Sequence, residues 1–278
     1  MLQVKYARKM PNQSIALNVR PVRAFADNYI WLIAAPKAQN RVVAVDPGDA
    51  APVIAELQRS GSSLAAILLT HHHADHIGGV ADLLTLGPIP VIGPDDPRIP
   101  LRTRTVGEGE RCELPDLGLA FETLAVPGHT LSHIAYWGHG TLFSGDTLFS
   151  AGCGRMFEGT PPQMNASLER LRDLPPDTRL FCGHEYTLAN LKFALAVEPG
   201  NAAVLDHRAA IERSRVHDTG GLLTPSLPSL LSLEARINPF LRCNNPAVRA
   251  AAEAHVGHAL PAASDVFGAL RAWKDQFR

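Results

Sequence analysis

The feature that most constrains this chain is a run of histidines placed directly behind an apolar strand. The apolar segment Ala65–Leu69 runs straight into the sequence Thr-His-His-His-Ala-Asp-His. In an extended stretch, side chains two residues apart point the same way, so His71 and His73 can bind one ion. Asp75 and His76 lie where the chain turns into the next helix, and they can face a second ion beside the first. The pattern predicts a metal site at the end of a strand.

The donor types in this run narrow the choice of metal. Imidazole nitrogens and carboxylate oxygens without thiolate suit zinc, iron or manganese, and the spacing alone does not select one. A lone histidine is more often an ordinary surface or core residue, but the whole pattern favours metal binding. The remaining histidine of the run, His72, points to the opposite side and is not expected to be a ligand.

Three more polar residues occupy equivalent places after other predicted strands. His129, Asp146 and His184 each follow a strand and a small or glycine-containing turn, which lets the backbone approach a site closely. Ligands gathered at strand ends from distant parts of a chain are typical of an α/β site. We therefore expect all three to join the cluster.

These seven side chains are enough for two ions. One ion is assigned to His71, His73 and His129, the other to Asp75, His76 and His184, and Asp146 is the expected bridge. Seven protein ligands leave open positions on the two ions, as a catalytic site requires. Two ions about 3.5–4 Å apart can share a hydroxide and lower the pKa of its parent water toward ~7. The sequence therefore predicts hydrolysis, with Asp75 and Asp146 as the carboxylates of the catalytic centre.

Composition excludes several classes of partner. The 278 residues carry 26 Lys+Arg and 27 Asp+Glu, a net charge of −1, which leaves no cationic excess for nucleic acid or a membrane surface. No uncharged apolar run reaches the roughly 18–20 residues of a membrane helix. The 4 cysteines lie far apart without a CxxC pair, which favours reduced thiols in a cytoplasmic protein. No obligate protein partner is evident.

Two patterns divide the chain. Short apolar strands with occasional helices fill roughly the first two thirds, and helical periodicity with Pro- and Gly-bearing turns fills the rest. We expect a loose extension over residues 1–14, with a start near Met10 also open, and an α/β catalytic domain over 15–184. A smaller helical domain is expected over 185–278, and within it the segment Gly220–Pro228 is expected to be a flexible connection.

Element boundaries follow from the same periodicity. The predicted strands are Ala16–Arg23, Tyr29–Ala35, Arg41–Val45, Ala65–Leu69, Leu119–Ala125, Ile134–Trp137, Thr141–Ser144 and Arg179–Cys182. The predicted helices are Ala51–Arg59, His76–Leu86, Met164–Leu171, Leu188–Val197, Ala202–Val216, Pro246–His255 and Asp265–Phe277.

The ligand pattern resembles the metallo-β-lactamase superfamily, and within it the hydroxyacylglutathione hydrolase (glyoxalase II) family. The motifs that narrow the resemblance are Ala-Asp-Asn-Tyr at 26–29, Gly-Asp-Thr-Leu-Phe at 145–149, Ala-Gly-Cys-Gly-Arg at 151–155, Gly-His-Glu-Tyr-Thr at 183–187 and Asn-Pro-Phe-Leu-Arg at 238–242. Glu-Pro-Gly-Asn at 198–201 and Trp-Lys-Asp-Gln-Phe at 273–277 extend it almost to the C-terminus. The resemblance implies a four-layer αββα sandwich followed by a small α-helical C-terminal domain that binds glutathione.

The resemblance also implies a reaction. The family hydrolyses the thioester S-D-lactoylglutathione to D-lactate and glutathione, the second step of methylglyoxal detoxification. A hydroxide that bridges two divalent ions is expected to attack the thioester carbonyl; zinc is the expected metal, and iron or manganese are compatible. A thiol of ordinary pKa, ~8.5, leaves readily as thiolate, so no strong protein acid is required.

Glutathione carries two carboxylates, which call for fixed cations and hydrogen-bond donors. By resemblance, Arg155 and Tyr186 are expected to bind the substrate, and Arg242 is expected to reach over from the helical domain. Phe157 stands where some members have a tyrosine, and no lysine follows closely after Arg242. Asp46, which also follows a strand, is expected to orient a ligand histidine from behind.

Other functions remain open at this stage. A glutathione persulfide dioxygenase of the same superfamily is the nearest rival, but it needs one iron and neither the full ligand set nor this helical tail. A β-lactamase should lack the tail, and a nuclease should carry nucleic-acid-binding modules. A binding protein that keeps its metal structurally is the rival from another class, and the open coordination positions argue against it.

Overall fold

A computed structural model describes residues 16–214 and 224–277 of the chain. The predicted extension over 1–14 and the first part of the predicted connection, residues 220–223, lie outside the described residues. The first sheet has six strands that follow one another in chain order. They are β1 Val19–Ala24, β2 Asn28–Ala34, β3 Arg41–Val45, β4 Ser63–Leu68, β5 Val91–Gly93 and β6 Arg104–Thr105. The first three are antiparallel, and β3 to β6 run parallel.

The second sheet also has six strands, and a short hairpin leads away from it. Its strands, in spatial order, are β7 Arg111–Leu114, β8 Leu119–Ala125, β9 Ile134–Gly138, β10 Thr141–Gly145, β13 Arg179–Cys182 and β14 Ser229–Leu230. The hairpin consists of β11 Leu148–Phe149 and β12 Gly152–Cys153. Only β10 and β13 pair in parallel among these strands.

Helices cover the outer faces of both sheets. They are α1 Ala50–Ser60, α2 Ala74–Ile77, α3 Val80–Leu83, α4 Pro161–Arg172, α5 Thr187–Val197, α6 Ala202–Ser214, α7 Leu231–Ile237, α8 Pro246–Val256 and α9 Ala263–Gln276. Short 3₁₀ turns occupy Leu84–Leu86, Pro115–Leu117 and Pro239–Leu241. Within the described ranges, no helix combines the length and the apolar character needed to cross a membrane.

The central core lies between the inner faces of the two sheets. Trp31 of the first sheet packs edge-on against Phe181 of the second, with ring centroids 4.9 Å apart, and its Nε1–H donates to the Cys182 carbonyl at 2.9 Å. The hydroxyl of the fully buried Tyr136 crosses the same gap and donates to the Leu69 carbonyl at 3.0 Å. Two further apolar clusters join the outer faces to the helices. This arrangement confirms the expected four-layer αββα sandwich.

The helical region after β13 is joined to the sandwich by a strand and by a shared core. Its residues Ser229 and Leu230 form β14, which extends the second sheet beside β13. Phe193, Phe240 and Phe267 from this region belong to one buried cluster with side chains of the second sheet. The C-terminal helices therefore have a fixed position relative to the strand ends.

The predicted helix His76–Leu86 is broken into two single turns, α2 and α3, followed by a 3₁₀ turn. The break falls at Gly78 and Gly79, which let the loop after β3 approach closely. A Cβ at Gly79 would lie 2.5 Å from the backbone nitrogen of Ala50, and one at Gly48 would lie 1.8 Å from the Asp75 carbonyl oxygen. Close contact between these two loops therefore takes precedence over helical continuity.

Candidate metal centre and substrate pocket

All seven predicted ligands meet at one edge of the sandwich. The segment from Thr70 to His76 follows β4, and three single residues follow strands of the second sheet. These are His129 after β8, Asp146 after β10 and His184 after β13. Because strands of both sheets end at this edge, ligands far apart in sequence come within 4.8 Å of one another in three overlapping groups.

The first group consists of three histidines. Nδ1 of His73 lies 3.1 Å from Nε2 of His71 and 2.9 Å from Nε2 of His129. His71 and His129 are buried, and His73 is partly exposed. Nitrogens that bind one tetrahedral zinc at about 2.0–2.1 Å lie about 3.3 Å apart, so these three atoms have the spacing of ligands to one ion.

The second group consists of Asp75, His76 and His184. Oδ2 of Asp75 lies 3.5 Å from Nε2 of His76 and 3.4 Å from Nε2 of His184. The Asp146 carboxylate lies between the two groups: its oxygens are 3.4 Å from His76 Nε2, 3.2 Å from His184 Nε2 and 3.5 Å from His129 Nε2. Asp146 is therefore placed where one carboxylate can reach both groups.

Two buried atoms indicate that this cluster is built for a cation. His76 Nε2 and Asp146 Oδ1 are shielded from solvent and have no hydrogen-bond partner among the described residues. Burying such atoms without a partner is costly. Gly183 leaves them room, because a Cβ there would lie 2.4 Å from Asp146 Oδ1. The donor set and its spacing thus fit divalent metal ions of the zinc, iron or manganese type.

Three of the five histidines are hydrogen-bonded at the ring nitrogen that faces away from the cluster, and a fourth, His76, has a carboxylate beside that nitrogen. These contacts are His71 Nδ1 to the Thr70 hydroxyl at 3.1 Å, His76 Nδ1 to Asp46 at 3.1 Å, His129 Nδ1 to the Arg155 carbonyl at 2.8 Å and His184 Nδ1 to Asp27 at 2.7 Å. Asp46 has a left-handed backbone, φ 52°, and also accepts from the backbone and the hydroxyl of Thr70. Such outer contacts fix the orientation of a ligand ring.

The two groups differ in their protonation. Burial and the neighbouring His129 lower the pKa of His73 to about 4, which leaves its imidazole neutral. Burial alone would lower the pKa of His184, but the Asp146 carboxylate outweighs burial and raises it to about 10. An ion that binds His184 must therefore displace a proton, whereas His73 is ready to bind at neutral pH.

A pocket of about 730 Å³ opens beside the cluster. Its wall includes His73, Asp75, His129, Asp146 and His184 from the cluster, together with Phe149, Phe157, Arg155, Tyr186, Arg271, Lys274 and Asp275. The ring of Tyr186 stacks on His184 with centroids 4.8 Å apart and an interplanar angle of 3°. The structure thus brings the predicted Arg155 and Tyr186 to the same cavity as the metal-type ligands.

Two cations of this pocket were not predicted. Arg271 is buried and donates to the Cys153 carbonyl at 2.9 Å, and Lys274 donates to the Ala189 carbonyl at 3.1 Å. Both come from α9, which packs against α4 and α8. Asp275 pairs with Arg271 at 3.0 Å and with Arg155 at 3.4 Å. The available signal for Lys274 was the Trp-Lys-Asp-Gln-Phe motif at 273–277, to which no role was assigned, and Arg271 lies outside that motif.

The structure does not bring Arg242 to this pocket. Its guanidinium pairs with Glu198 and lines a separate cavity with Asn201 and Arg236. The physical reason is that the partner of Arg242, Glu198, lies at the C-terminal end of α5, whereas Lys274 donates to Ala189 in the N-terminal turn of that helix.

Three neighbouring side chains complete the surroundings. His72 faces away from the cluster, with its ring nitrogens 3.5 Å from Asp96 and 3.8 Å from Glu158. His133, which had no assigned role, stacks on His71 at 4.6 Å and accepts from the Asp146 backbone N–H at 3.1 Å. Phe157 is 64% exposed and presents its ring to His73 and His129.

Comparison with known proteins places these observations in a family. Residues 25–184 match the metallo-beta-lactamase superfamily, and residues 185–277 match the family described as hydroxyacylglutathione hydrolase C-terminus. A hydroxyacylglutathione hydrolase of Xanthomonas campestris is 54% identical over 92% of this chain and 97% of its own length. One of Cupriavidus taiwanensis is 50% identical over 94% of this chain and its full length.

A solved structure supports the fold independently. The crystal structure of TTHA1623 in a di-iron-bound form aligns with 80% of this chain and all of its own, with a TM-score of 0.56 and 30% identity. The two matched regions meet at His184, the last of the predicted metal ligands. With the sandwich, the His/Asp cluster and the helical C-terminal region all accounted for, the chain belongs to the hydroxyacylglutathione hydrolase family of the metallo-β-lactamase superfamily.

Proposed function

We propose that this protein hydrolyses S-D-lactoylglutathione to D-lactate and glutathione at a centre that binds two divalent metal ions. The observation that carries the proposal is a His/Asp cluster that shares one pocket with three cationic side chains, Arg155, Arg271 and Lys274. The relatives that are 54% and 50% identical are hydroxyacylglutathione hydrolases, which supports the same reaction here.

We assign the ligands as follows. One ion would be held by His71, His73 and His129 and the other by Asp75, His76 and His184, with Asp146 shared between them. The interatomic distances of about 3 to 3.5 Å within each group support this division. Zinc is the expected metal, and the di-iron form of the 30% identical structure makes iron the alternative.

Bound divalent ions would polarise the thioester carbonyl and lower the pKa of a water molecule. The protein's own part is to hold the ligand rings in place from behind, as Asp46 does for His76 and Asp27 for His184. The leaving thiol, with a pKa of ~8.5, needs no protein acid. Burial raises the pKa of Cys153 in the pocket wall to about 11, so this residue stays a thiol and does not serve as a nucleophile.

The cationic wall supplies what the two carboxylates of glutathione need. Apart from Asp75 and Asp146 of the cluster, the pocket wall has three cations, Arg155, Arg271 and Lys274, and one acid, Asp275, which pairs with both arginines. Burial and the nearby Asp27 raise the pKa of Tyr186, so its phenol stays protonated and can donate a hydrogen bond. We propose that the lysine and the arginines bind the carboxylates and that Tyr186 binds the peptide backbone of glutathione.

The cysteines bear on where the protein works. All 4 are free and buried in the structure. Secreted proteins commonly oxidise such residues to disulfides, whereas cytoplasmic proteins keep them reduced. We therefore propose a cytoplasmic location.

The test is a hydrolysis assay with two thioesters that share the D-lactoyl group. S-D-lactoylglutathione should be cleaved to equal amounts of D-lactate and glutathione, and the N-acetylcysteamine thioester, which has no carboxylates, should show a KM at least about tenfold higher. Equal KM values for the two thioesters would mean that Arg155, Arg271 and Lys274 do not bind the substrate carboxylates. Asp146→Ala should abolish turnover, and the exposed Asp95→Ala is the matched control.

The same samples distinguish the nearest rival. A persulfide dioxygenase would consume oxygen when supplied with glutathione persulfide and would leave the thioester intact. We expect thioester cleavage without oxygen uptake. Oxygen uptake without thioester cleavage would contradict the hydrolase proposal and favour a persulfide dioxygenase.

A further inference from the structure

The tight turn between β1 and β2 is bonded to the segment that carries His184. The backbone N–H of Tyr29 donates to the Gly183 carbonyl at 2.8 Å, and the N–H of Glu185 donates to the Asp27 carbonyl at 2.8 Å. Asn28 and His184 form an isolated β-bridge between these contacts. The turn itself is strained, since Phe25 has a φ of 51°. This turn thus lies directly behind one half of the metal-type cluster.

Asp27 holds the ring of His184 from the outside. Its Oδ1 lies 2.7 Å from His184 Nδ1, which turns Nε2 toward Asp75 and Asp146. Tyr186 stacks on one face of the same ring. An imidazole whose Nδ1 donates to a carboxylate is fixed in the tautomer that presents Nε2 to a metal.

Asn28 holds the other flexible ligand of this group. Its Nδ2 donates to Oδ2 of Asp75 at 2.9 Å and lies 3.4 Å from the Asp75 carbonyl oxygen. Asn28 is 6% exposed, whereas the Asp75 side chain is 40% exposed. A half-exposed carboxylate is free to rotate toward solvent. The buried amide is the contact from outside the cluster that keeps Asp75 facing His76 and His184.

We propose that Asp27 and Asn28 are positioning residues that preorganise the second ion's ligands, Asp75 and His184. The inference rests on the proposed two-metal centre and concerns one half of it. The first ion's ligands are held by other parts of the chain: His71 by the Thr70 hydroxyl and His129 by the Arg155 carbonyl. Removing the side chain of Asp27 or Asn28 should therefore lower the affinity for the second ion and leave the affinity for the first unchanged.

The experiment is a zinc titration of purified, metal-stripped protein against a competing chelator. Wild type should show two binding steps. Asp27→Ala and Asn28→Ala should each weaken one step about 10- to 100-fold, the usual effect of removing an outer partner of a ligand, and leave the other unchanged. Asp27→Asn, which keeps an acceptor for His184 Nδ1, should recover part of the lost affinity.

A matched control comes from the same turn. Phe25 is exposed and is not one of the residues whose hydrogen bonds hold Asp75 and His184, and asparagine tolerates its left-handed backbone. Phe25→Asn should keep both binding steps. Thermal unfolding of the metal-stripped variants should match that of wild type, which separates lost ligand orientation from lost folding.

The possible outcomes separate this inference from the proposed function. If wild type binds two ions and Asp27→Ala and Asn28→Ala bind both with unchanged affinity, the positioning role is wrong and the two-metal centre stands. An equal weakening of both steps would also contradict the selective role. If wild type binds fewer than two ions, the two-metal proposal fails first.

Discussion

At the residue scale, the structure places two cations of the helical region, Lys274 and Arg242, in different cavities. Lys274 lines the pocket beside the cluster, and Arg242 pairs with Glu198 in another cavity. Arg242 was predicted to bind substrate because it belongs to a motif of the resembled family. The motif does not reveal where that part of the chain packs. The convergence of the seven expected ligands was easier to predict, since four lie within one short segment and three follow recognisable strands.

This difference gives a paired prediction. Lys274→Ala should raise the KM for S-D-lactoylglutathione about tenfold or more, because it removes a charged donor to a carboxylate. Arg242→Ala should leave KM within about twofold of wild type. Steady-state kinetics of both variants provide the check, and a larger KM effect for Arg242 than for Lys274 would reverse the assignment.

The lowered pKa of Lys274 predicts that kcat/KM falls at alkaline pH. Burial and the neighbouring Arg271 lower the pKa of Lys274 to about 8. The substrate carboxylates stay ionised across this range, so the attraction is present below pH 8 and is lost as pH rises through 8. We expect kcat/KM to fall above that pH and Lys274→Arg, whose guanidinium stays charged, to flatten the fall. An unchanged fall in that variant would assign the titration to another group.

At the element scale, most of the longer segments could be predicted and most of the short ones could not. The exceptions are the four-residue strand β13, whose bounds were predicted, and the helix expected over His76–Leu86, which is broken. The predicted bounds of β3 and β8 match the structure, and those of α5 and α8 differ by one residue. The strands β5, β6, β7, β11, β12 and β14 have 2 to 4 residues each, too few for periodicity to register. Their existence depends on pairing partners elsewhere in the chain, which the local sequence does not reveal.

One buried acid connects α7 to the turn between β11 and β12 and to β14. Glu234 of α7 is fully buried and accepts from the Ser150 hydroxyl at 2.8 Å and the Ala151 backbone N–H at 2.7 Å, both in the turn between β11 and β12. It also accepts from the Ser229 hydroxyl and lies 3.4 Å from the Asn238 amide. The hairpin that follows Asp146, which supplies Phe149 and Cys153 to the pocket wall, is therefore fixed to the helical region by a side chain.

Removing that acid should cost substantial stability. Glu234→Ala leaves several buried donors without an acceptor, at about 1–3 kcal/mol each, so we expect the free energy of unfolding to fall by about 3 kcal/mol or more. Glu234→Gln keeps one acceptor oxygen and should lose less. Urea unfolding measures both, and a loss below about 0.5 kcal/mol for Glu234→Ala would mean that the hairpin is held by other contacts.

At the scale of the whole molecule, the site exists because three parts of the chain meet. The first sheet supplies the histidine run, the second supplies His129, Asp146 and His184, and α9 supplies Arg271 and Lys274. The first two contributions could be predicted, since strand ends at one edge bring their loops together. The third could not, because it depends on how α9 packs against α4 and α8.

This construction predicts that metal and fold stabilise each other. Ligands from four separate segments face one another in the folded chain only, so an ion binds the folded state far better than the unfolded one. At free zinc 1,000 times the dissociation constant, binding adds about 4 kcal/mol of stability. Thermal unfolding should therefore occur several degrees lower after chelation and recover with zinc, and an unchanged Tm would contradict ligand convergence.

Whether catalysis needs two ions can be measured from the rate of S-D-lactoylglutathione hydrolysis as zinc is added stepwise to metal-stripped protein. The rate should stay low at one zinc per chain and reach its maximum at two, because Asp146 lies within reach of both ligand groups. Full activity at one zinc per chain would contradict the two-ion centre. No hydrolysis at two zinc ions per chain would contradict the proposed reaction.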